Sequence, residues 1–319
     1  MAEKESQKVN DLIFKELIKR GYSLQGNTRV WDIADSKLWY LTPEQAQAYL
    51  DLENSQEFKE SASNIEFDLI NKNIKEISKK IGTGPINIVD LGCGDGKKAA
   101  YIFSRLKNKS KIRYCPVDIS GHMVGEAIKT FSGLDVEEVI ECQYNISDFE
   151  NLENLSGLLR KGEFKKGLFL LLGHTLGNFE VNEILYEIRS AMGWDDVLVI
   201  VSGIENEKWA KWAKEKKSDD KMDNFFGKIP KLLGLDEKDV EFGARFKHKR
   251  VEYYYTIKNS KTIEFQNKKV ALNKGDQVIV AVSYKHNKDD ILSILNMQFR
   301  DVTLKLSEEG STFLAICKK

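Results

Sequence analysis

The run Asp90-Leu91-Gly92-Cys93-Gly94-Asp95-Gly96 constrains this chain most. It lies between the apolar segment Ile86-Asn87-Ile88-Val89 and the helix-patterned Lys97-Lys98-Ala99-Ala100-Tyr101-Ile102-Phe103. A buried parallel strand that ends in a glycine turn and opens a helix lets a nucleoside ligand come close to the backbone and meet the amides at the helix start. Glycine permits positive φ and removes the Cβ atoms that would block the approach. Taken alone, such a cluster also fits an ordinary strand-to-helix turn with no ligand.

The next acidic residue narrows the reading. Arg113-Tyr114-Cys115-Pro116-Val117-Asp118-Ile119-Ser120 reads as a second strand with Asp118 at its carboxyl end. A carboxylate about 20 residues past the turn is placed to accept both ribose hydroxyls, which fits NAD and S-adenosylmethionine alike. The dinucleotide fingerprint spaces its glycines as Gly-x-Gly-x-x-Gly. Here they alternate at Gly92, Gly94 and Gly96 after the acid Asp90. This pattern resembles the first motif of class I S-adenosylmethionine-dependent methyltransferases, in which the first acid organises the loop around the methionine moiety. An NAD dehydrogenase is the more distant alternative.

Apolar strand-like runs continue over residues 138–144, 167–173 and 196–202, separated by helical segments such as Glu183-Ile184-Leu185-Tyr186-Glu187-Ile188-Arg189. The alternation predicts an α/β fold, an open parallel sheet with helices on both faces. Upstream, Val9, Leu12, Ile13, Leu17 and Ile18 recur at helical spacing. Thr42-Pro43-Glu44-Gln45 is a helix start, with threonine as N-cap, proline first and glutamine third. Helix with interruptions is expected from there to about residue 80. Between these elements, Val30-Trp31-Asp32-Ile33 and Leu38-Trp39-Tyr40-Leu41 read either as packing against the core or as ligand contacts.

Past about residue 212 the pattern changes to a polar helical stretch and then to antiparallel strands over 250–257, 262–265 and 277–284. A helix near 289–296 and strands over 301–306 and 312–317 close the core, similar to the hairpin that ends a class I methyltransferase sheet. The expected organisation is an amino-terminal helical region over 1–80 contributing to a lid, a Rossmann-like cofactor-binding core over 81–212 and 287–319, and an inserted lid over 213–286. The lid as a whole is expected to be a smaller α+β domain. A length of 319 residues accommodates both.

Lysine plus arginine and aspartate plus glutamate balance at 49 each, so the chain has no electrostatic footprint for nucleic acid. The run Lys214-Glu215-Lys216-Lys217 reads as a solvated helix face. No apolar stretch reaches the roughly 18 residues of a membrane span and the amino terminus is polar, so a cytoplasmic location is expected and no membrane partner. Cysteines at 93, 115, 142 and 317 and histidines at 122, 174, 248 and 286 show no metal-ligand spacing, and no metal or disulfide is expected.

The most specific segment is Leu168-Phe169-Leu170-Leu171-Leu172-Gly173-His174-Thr175-Leu176-Gly177-Asn178-Phe179. It is unlike the Asn-Pro-Pro-aromatic motif of nucleic-acid amino-methyltransferases. It closely resembles the Phe-Leu-Gly-Ser-Thr-Ile-Gly-Asn run of the histidine-specific N-α-methyltransferase family, which serves ergothioneine synthesis and includes fungal dimethylallyltryptophan N-methyltransferases. The segments at 114–120 and 39–44, together with Phe246-Lys247-His248 and Val282-Ser283-Tyr284-Lys285, are similar to family segments in the same order, covering the chain from about residue 30.

The resemblance implies S-adenosylmethionine as cofactor and S-adenosylhomocysteine as product. It places the cofactor site on Asp90, Gly92, Gly94, Gly96, Lys98, Asp118 and Gly173. Adenine contacts fall on Gln143 and Tyr144, or in another alignment on Asp148 and Phe149. The first pair lies nearer the expected strand end. Asn178 would bind the amino-acid head group, or cap its own loop. Trp31, Trp39, Tyr40, Ala281 and Ser283 would meet the acceptor, with Asn178 and Tyr40 acting at the reacting amine.

This chain leaves the family pattern on the acceptor side. The acid that grips histidine, two positions before the serine, is Ala281; tyrosines before the first helix appear as Trp31 and Trp39; and the tyrosine expected near 215 has no counterpart. A site built to hydrogen-bond an imidazole loses discrimination when its carboxylate becomes a methyl group. The expected reaction is therefore N-methylation of a small amino-acid-like amine other than histidine. A protein or peptide methyltransferase and a cofactor-binding relative without transferase activity stay open, as does the oligomeric state.

Overall fold

Strand-forming runs in the computed structural model follow one another as β1 (Ser23–Gln25), β2 (Thr28–Asp32), β3 (Ile86–Leu91), β4 (Ile112–Val117), β5 (Glu138–Val139), β6 (Lys166–Leu171), β7 (Val197–Gly203), β8 (Val240–Lys247), β9 (Arg250–Ile257), β10 (Lys261–Phe265), β11 (Lys268–Leu272), β12 (Gln277–Tyr284), β13 (Asp301–Leu306) and β14 (Thr312–Lys318). The structure describes residues 2–40, 42–107, 110–141, 145, 149, 151–205 and 220–319. Gln143, Tyr144, Asp148, Cys142 and the run 214–217 lie outside the described residues. By internal contacts the chain divides into two units: residues 1–52 with 207–284, and residues 53–206 with 285–319.

The second unit is a seven-stranded sheet in the order β13-β14-β7-β6-β3-β4-β5. Neighbours from β7 to β5 pair in parallel, and β14 runs antiparallel between β7 and β13. This is the Rossmann-like sheet expected from the sequence, and it follows from residue type. Every residue of β3 is buried, as a strand covered on both faces requires. Val89, Leu91, Val117, Phe169 and Ile200 pack on one side with the helices Leu152–Leu159, Val181–Ala191 and Lys288–Gln298. Ile86, Ile88, Tyr114, Leu170 and Val199 pack on the other with Asn64–Ile81, Lys97–Leu106 and Gly121–Ser132. Register puts Leu91 beside both Val117 and Leu171, so β3, β4 and β6 end level with one another. Strand order reverses at β3, and the carboxyl ends on either side of such a reversal are where ligands bind.

The first unit holds a five-stranded sheet, β1-β2-β12-β9-β8, and the separate hairpin β10-β11. The sheet is antiparallel except where β2 lies parallel to β12. Two of its strands, β1 and β2, come from the amino-terminal region, and β2 carries Trp31. The predicted helix start is realised as a capping box: Gln45 N–H donates to Thr42 Oγ1 and Thr42 N–H to Gln45 Oε1, each at 3.2 Å.

Several features differ from the sequence expectation, among them the short strands β1, β2 and β11. The first unit boundary falls after Leu52 rather than near 80, because Leu69, Ile70, Ile77 and Ile81 of the helix Asn64–Ile81 are buried with β3. Strand β8 is additional: its Gly243 interrupts the strand pattern, and any Cβ there would stand 2.6 Å from the ring of Tyr254 on β9. The strand expected over 138–144 is regular only at Glu138–Val139 among the described residues. No helix among those residues is long and apolar enough to cross a membrane.

Candidate active site

The glycine turn is tied to the end of β4. Gly92 and Cys93 donate their amide hydrogens to the Val117 carbonyl at 2.8 and 3.2 Å. Gly92, Gly94 and Gly96 all have positive φ, at 67, 52 and 73°. At two of them close packing adds to that requirement. A Cβ on Gly92 would stand 2.8 Å from Thr175, and one on Gly96 would stand 3.0 Å from the Ala127 backbone. At Gly94 nothing lies within 4 Å of the Cβ position, which leaves open space over the turn.

Asp118, the residue after β4, accepts the Ser120 amide on Oδ1 at 3.0 Å and the Gly94 amide on Oδ2 at 3.3 Å. Each carboxylate oxygen has two lone pairs, so both retain capacity for a further donor such as a ribose hydroxyl. Burial pushes the Asp118 carboxyl up to about 6, against the amides of Ser120, Gly94 and Ile119, which favour its charge. Behind the turn, Asp90 accepts the Tyr114 hydroxyl at 2.8 Å. Burial raises the Asp90 carboxyl to about 7 despite that bond, and the charge of Asp118 pushes the same way. Asn145 braces this edge: its backbone carbonyl takes the Asp118 amide at 2.8 Å, and its side-chain amide donates to the Ile140 carbonyl at 3.1 Å and to the Pro116 carbonyl.

Lys98 is the second residue of the helix that the glycines open. Its Nζ is 2.5 Å from Glu53 Oε1 and 3.2 Å from Glu66 Oε2, and a Cβ on Gly173 would stand 3.2 Å from it. Glu66 is 2% exposed, and its Oε2 meets Lys98 as an ion pair without an aligned hydrogen bond. Burial opposes the Lys98 charge, but the carboxylates of Glu66 and Glu53 outweigh it and raise its proton affinity. Glu66 is also raised, by burial, with Lys98 acting against the shift. Gly173 (φ 73°) leads from β6 into the 3-10 turn Thr175–Asn178 that carries Asn178. The structure thus brings Asp90, the three turn glycines, Lys98, Asp118 and Gly173 to one edge of the sheet.

These residues answer to a family. A model of histidine-specific, S-adenosylmethionine-dependent methyltransferases matches residues 54–318. The chain belongs to that family. The methyltransferase shows further similarity to solved structures. One is an S-adenosylmethionine-dependent methyltransferase from Clostridium acetobutylicum, at 14% identity over 85% of this chain and 98% of that one, with a TM-score of 0.44. Another is the PH0226 protein of Pyrococcus horikoshii, at 14% identity over 83% of this chain and 93% of that one, with a TM-score of 0.42. Magnesium protoporphyrin IX methyltransferase of Synechocystis, solved with bound S-adenosylhomocysteine, aligns at 10% identity over 86% and 93%, with a TM-score of 0.44. No curated protein matches significantly by sequence. The cofactor of this methyltransferase is S-adenosylmethionine, and the open space at Gly94 beside the acceptor oxygens of Asp118 fits it.

Of the expected acceptor residues of the methyltransferase, Asn178 belongs to the second unit and Trp31, Trp39, Tyr40, Ala281 and Ser283 to the first. Trp31 donates its indole N–H to Asp276 at 3.2 Å and packs on Tyr22; Trp39 donates its own to the Val280 carbonyl at 2.8 Å. Their donors are used within this unit, and both residues are buried, at 6% and 4% exposed. Tyr40 stands edge-on to Tyr49 at 5.3 Å and tilted against Phe225 at 5.8 Å. Ala281 and Ser283 both lie on β12, opposite Tyr253 and Val251.

Sequence reasoning did not pick out Glu53, Glu66 or Asn145. Glu66 had a signal, since it shares the buried helix face of Leu69 and Ile70 at spacings of three and four. Phe149, from the alternative adenine pair, is buried with φ 74° and tilts against Phe179 at 5.5 Å.

Proposed function

We propose that this methyltransferase acts on the amine of a small amino-acid-like acceptor other than histidine. The observation that carries the reading is Ala281. It is 0% exposed, set in β12 between Val280 and Val282, and puts a methyl group where the family resemblance places the acid that grips an imidazole. Asn178 orients the acceptor head group, and Tyr40, Trp31, Trp39 and Ser283 belong to the acceptor side.

On the cofactor side, Asp118 takes the ribose hydroxyls, and Gly92, Gly94 and Gly96 give the backbone close approach. Asp90 braces the turn through Tyr114, Lys98 and Gly173 border the methionine end, and Gln143 and Tyr144 meet the adenine. Bound S-adenosylmethionine supplies an electrophilic methyl group on a sulfonium centre. The chain's own work is then alignment, exclusion of water and presentation of an amine with a free lone pair. That work needs no nucleophilic dyad.

Incubation with labelled methyl donor and a panel of histidine, tryptophan derivatives and other primary amines tests the reading, with products identified by mass spectrometry. The expected result is an N-methylated amine other than histidine. Preferred transfer to histidine, or label only on protein, oxygen or carbon, overturns it. With the preferred amine, Asn178→Ala is expected to lower kcat/KM by about 10- to 100-fold through loss of one or two hydrogen bonds. Unchanged kcat/KM removes Asn178 from the site.

Cofactor affinity should also depend on pH. Only the ionised Asp118 accepts both hydroxyls, so binding favours its charged form and releases a proton wherever the free protein holds one. With the free carboxyl at about 6, affinity for S-adenosylhomocysteine is level above pH 7 and falls by up to about tenfold per pH unit below 6. Calorimetry from pH 5 to 8 reads this slope. An affinity independent of pH over that range contradicts the assignment, and Asp118→Asn should flatten the curve.

A further inference from the structure

His174 is a residue the cofactor assignment leaves unused. It follows Gly173 past the end of β6 and precedes the turn that ends at Asn178. Its ring stands edge-on to Phe58, with centroids 5.8 Å apart and planes at 86°. Nδ1 and Cε1 lie 3.6 Å from where a Cβ on Gly203, the last residue of β7, would stand. The imidazole therefore spans the carboxyl ends of two neighbouring parallel strands, on the edge where ligands of such sheets bind. It is partly exposed, and among the described residues neither ring nitrogen meets a hydrogen-bond partner.

The surroundings decide which form of the ring is present. Lys285 Nζ lies 3.3 Å from the same Gly203 position. Burial, then the charges of Lys285 and Lys98, bring the His174 imidazole down to about 3. Near neutral pH it therefore has one N–H donor and one nitrogen lone pair. It also stands at the serine position of the family run Phe-Leu-Gly-Ser-Thr-Ile-Gly-Asn, so a longer group with a fixed acceptor direction replaces a short hydroxyl.

We propose that His174 is a further catalytic residue: its neutral imidazole accepts a hydrogen bond from the N–H of the acceptor amine and leaves the amine lone pair free for the methyl group. A ring that is protonated only in strong acid does not keep the proton, so its task is orientation. The inference rests on the reading that the acceptor is an amine, and it makes His174 and Asn178, at the two ends of one short turn, partners in holding it.

The test compares His174→Leu, His174→Gln and His174→Ser with the unaltered protein, using its preferred amine from the panel, and measures kcat, KM and S-adenosylhomocysteine affinity. Leucine is expected to lower kcat by about 10- to 100-fold. Glutamine, which keeps an acceptor, should recover part of that loss, and serine less. Affinity for S-adenosylhomocysteine should stay within about twofold in all three, which also reports that the variants fold. A leucine variant with unchanged kcat overturns the inference while the amine reading stands. So does a loss of S-adenosylhomocysteine affinity as large as the loss of rate. If the unaltered protein methylates no amine of the panel, the amine reading fails and the inference fails with it.

Discussion

Asp118→Ala is expected to weaken S-adenosylhomocysteine binding by about 100- to 1000-fold. Two hydrogen bonds to an ionised acceptor contribute roughly 1.5–2 kcal/mol each, and 1.4 kcal/mol is a factor of ten. The same carboxylate also holds the Gly94 and Ser120 amides, so the unliganded protein should lose about 1–3 kcal/mol of stability. The two effects separate through Asp118→Asn, which keeps one acceptor oxygen. It should lose only about tenfold in affinity and retain most of the stability. Calorimetry for binding and thermal melting of the unliganded protein measure them independently. An alanine variant that binds within threefold of the original removes Asp118 from the cofactor site, whatever happens to its melting temperature.

Asp118 was legible from sequence because its position follows from two local patterns, a buried strand and a strand-to-helix turn. The same holds for β3, β4, β6 and β7, which carry runs of apolar residues bounded by turns, whereas β5 is regular only at Glu138–Val139 among the described residues. The first unit was harder to read because its strands depend on partners distant in sequence. Strand β2 finds its parallel neighbour β12 nearly 250 residues away, and the Arg29–Asp276 ion pair beside it spans the same distance. Nothing local to Thr28–Asp32 announces that pairing. Gly243 on β8 shows the reverse difficulty: the residue that weakens the strand pattern is required by the Tyr254 ring opposite it. At the candidate site, the glycines and the carboxylates Asp90 and Asp118 left a trace in the order of residue types. Glu53 and Asn145 did not, because a buried ion pair and a bracing amide are defined by what lies opposite them in the fold. His174 lay inside the most informative motif, and only its neighbours Phe58, Gly203 and Lys285 reveal what its ring can do.

Lys98→Met is expected to have the largest effect on the second unit, because it leaves Glu53 and Glu66 facing each other without a cation. Removing one partner from a buried ion pair costs about 3–5 kcal/mol. Glu66, 2% exposed and already raised by burial, is the carboxyl expected to take up a proton in response. Stability of the variant should therefore improve as pH is lowered, opposite to the usual acid sensitivity of paired carboxylates. Its melting temperature near neutral pH should fall by about 10 °C. The double variant Lys98→Met, Glu66→Gln removes one of the stranded charges in advance and should regain about half of the lost stability with little pH dependence. Cofactor affinity then distinguishes two roles for Lys98. If the lysine only neutralises Glu53 and Glu66, binding of S-adenosylhomocysteine returns in the double variant along with the stability. If, as its place beside Gly173 suggests, Lys98 also serves the methionine end of the cofactor, the double variant recovers about half of the lost stability and still binds at least tenfold more weakly. Binding of 5′-methylthioadenosine, which lacks the amino-acid tail, should then be nearly unchanged.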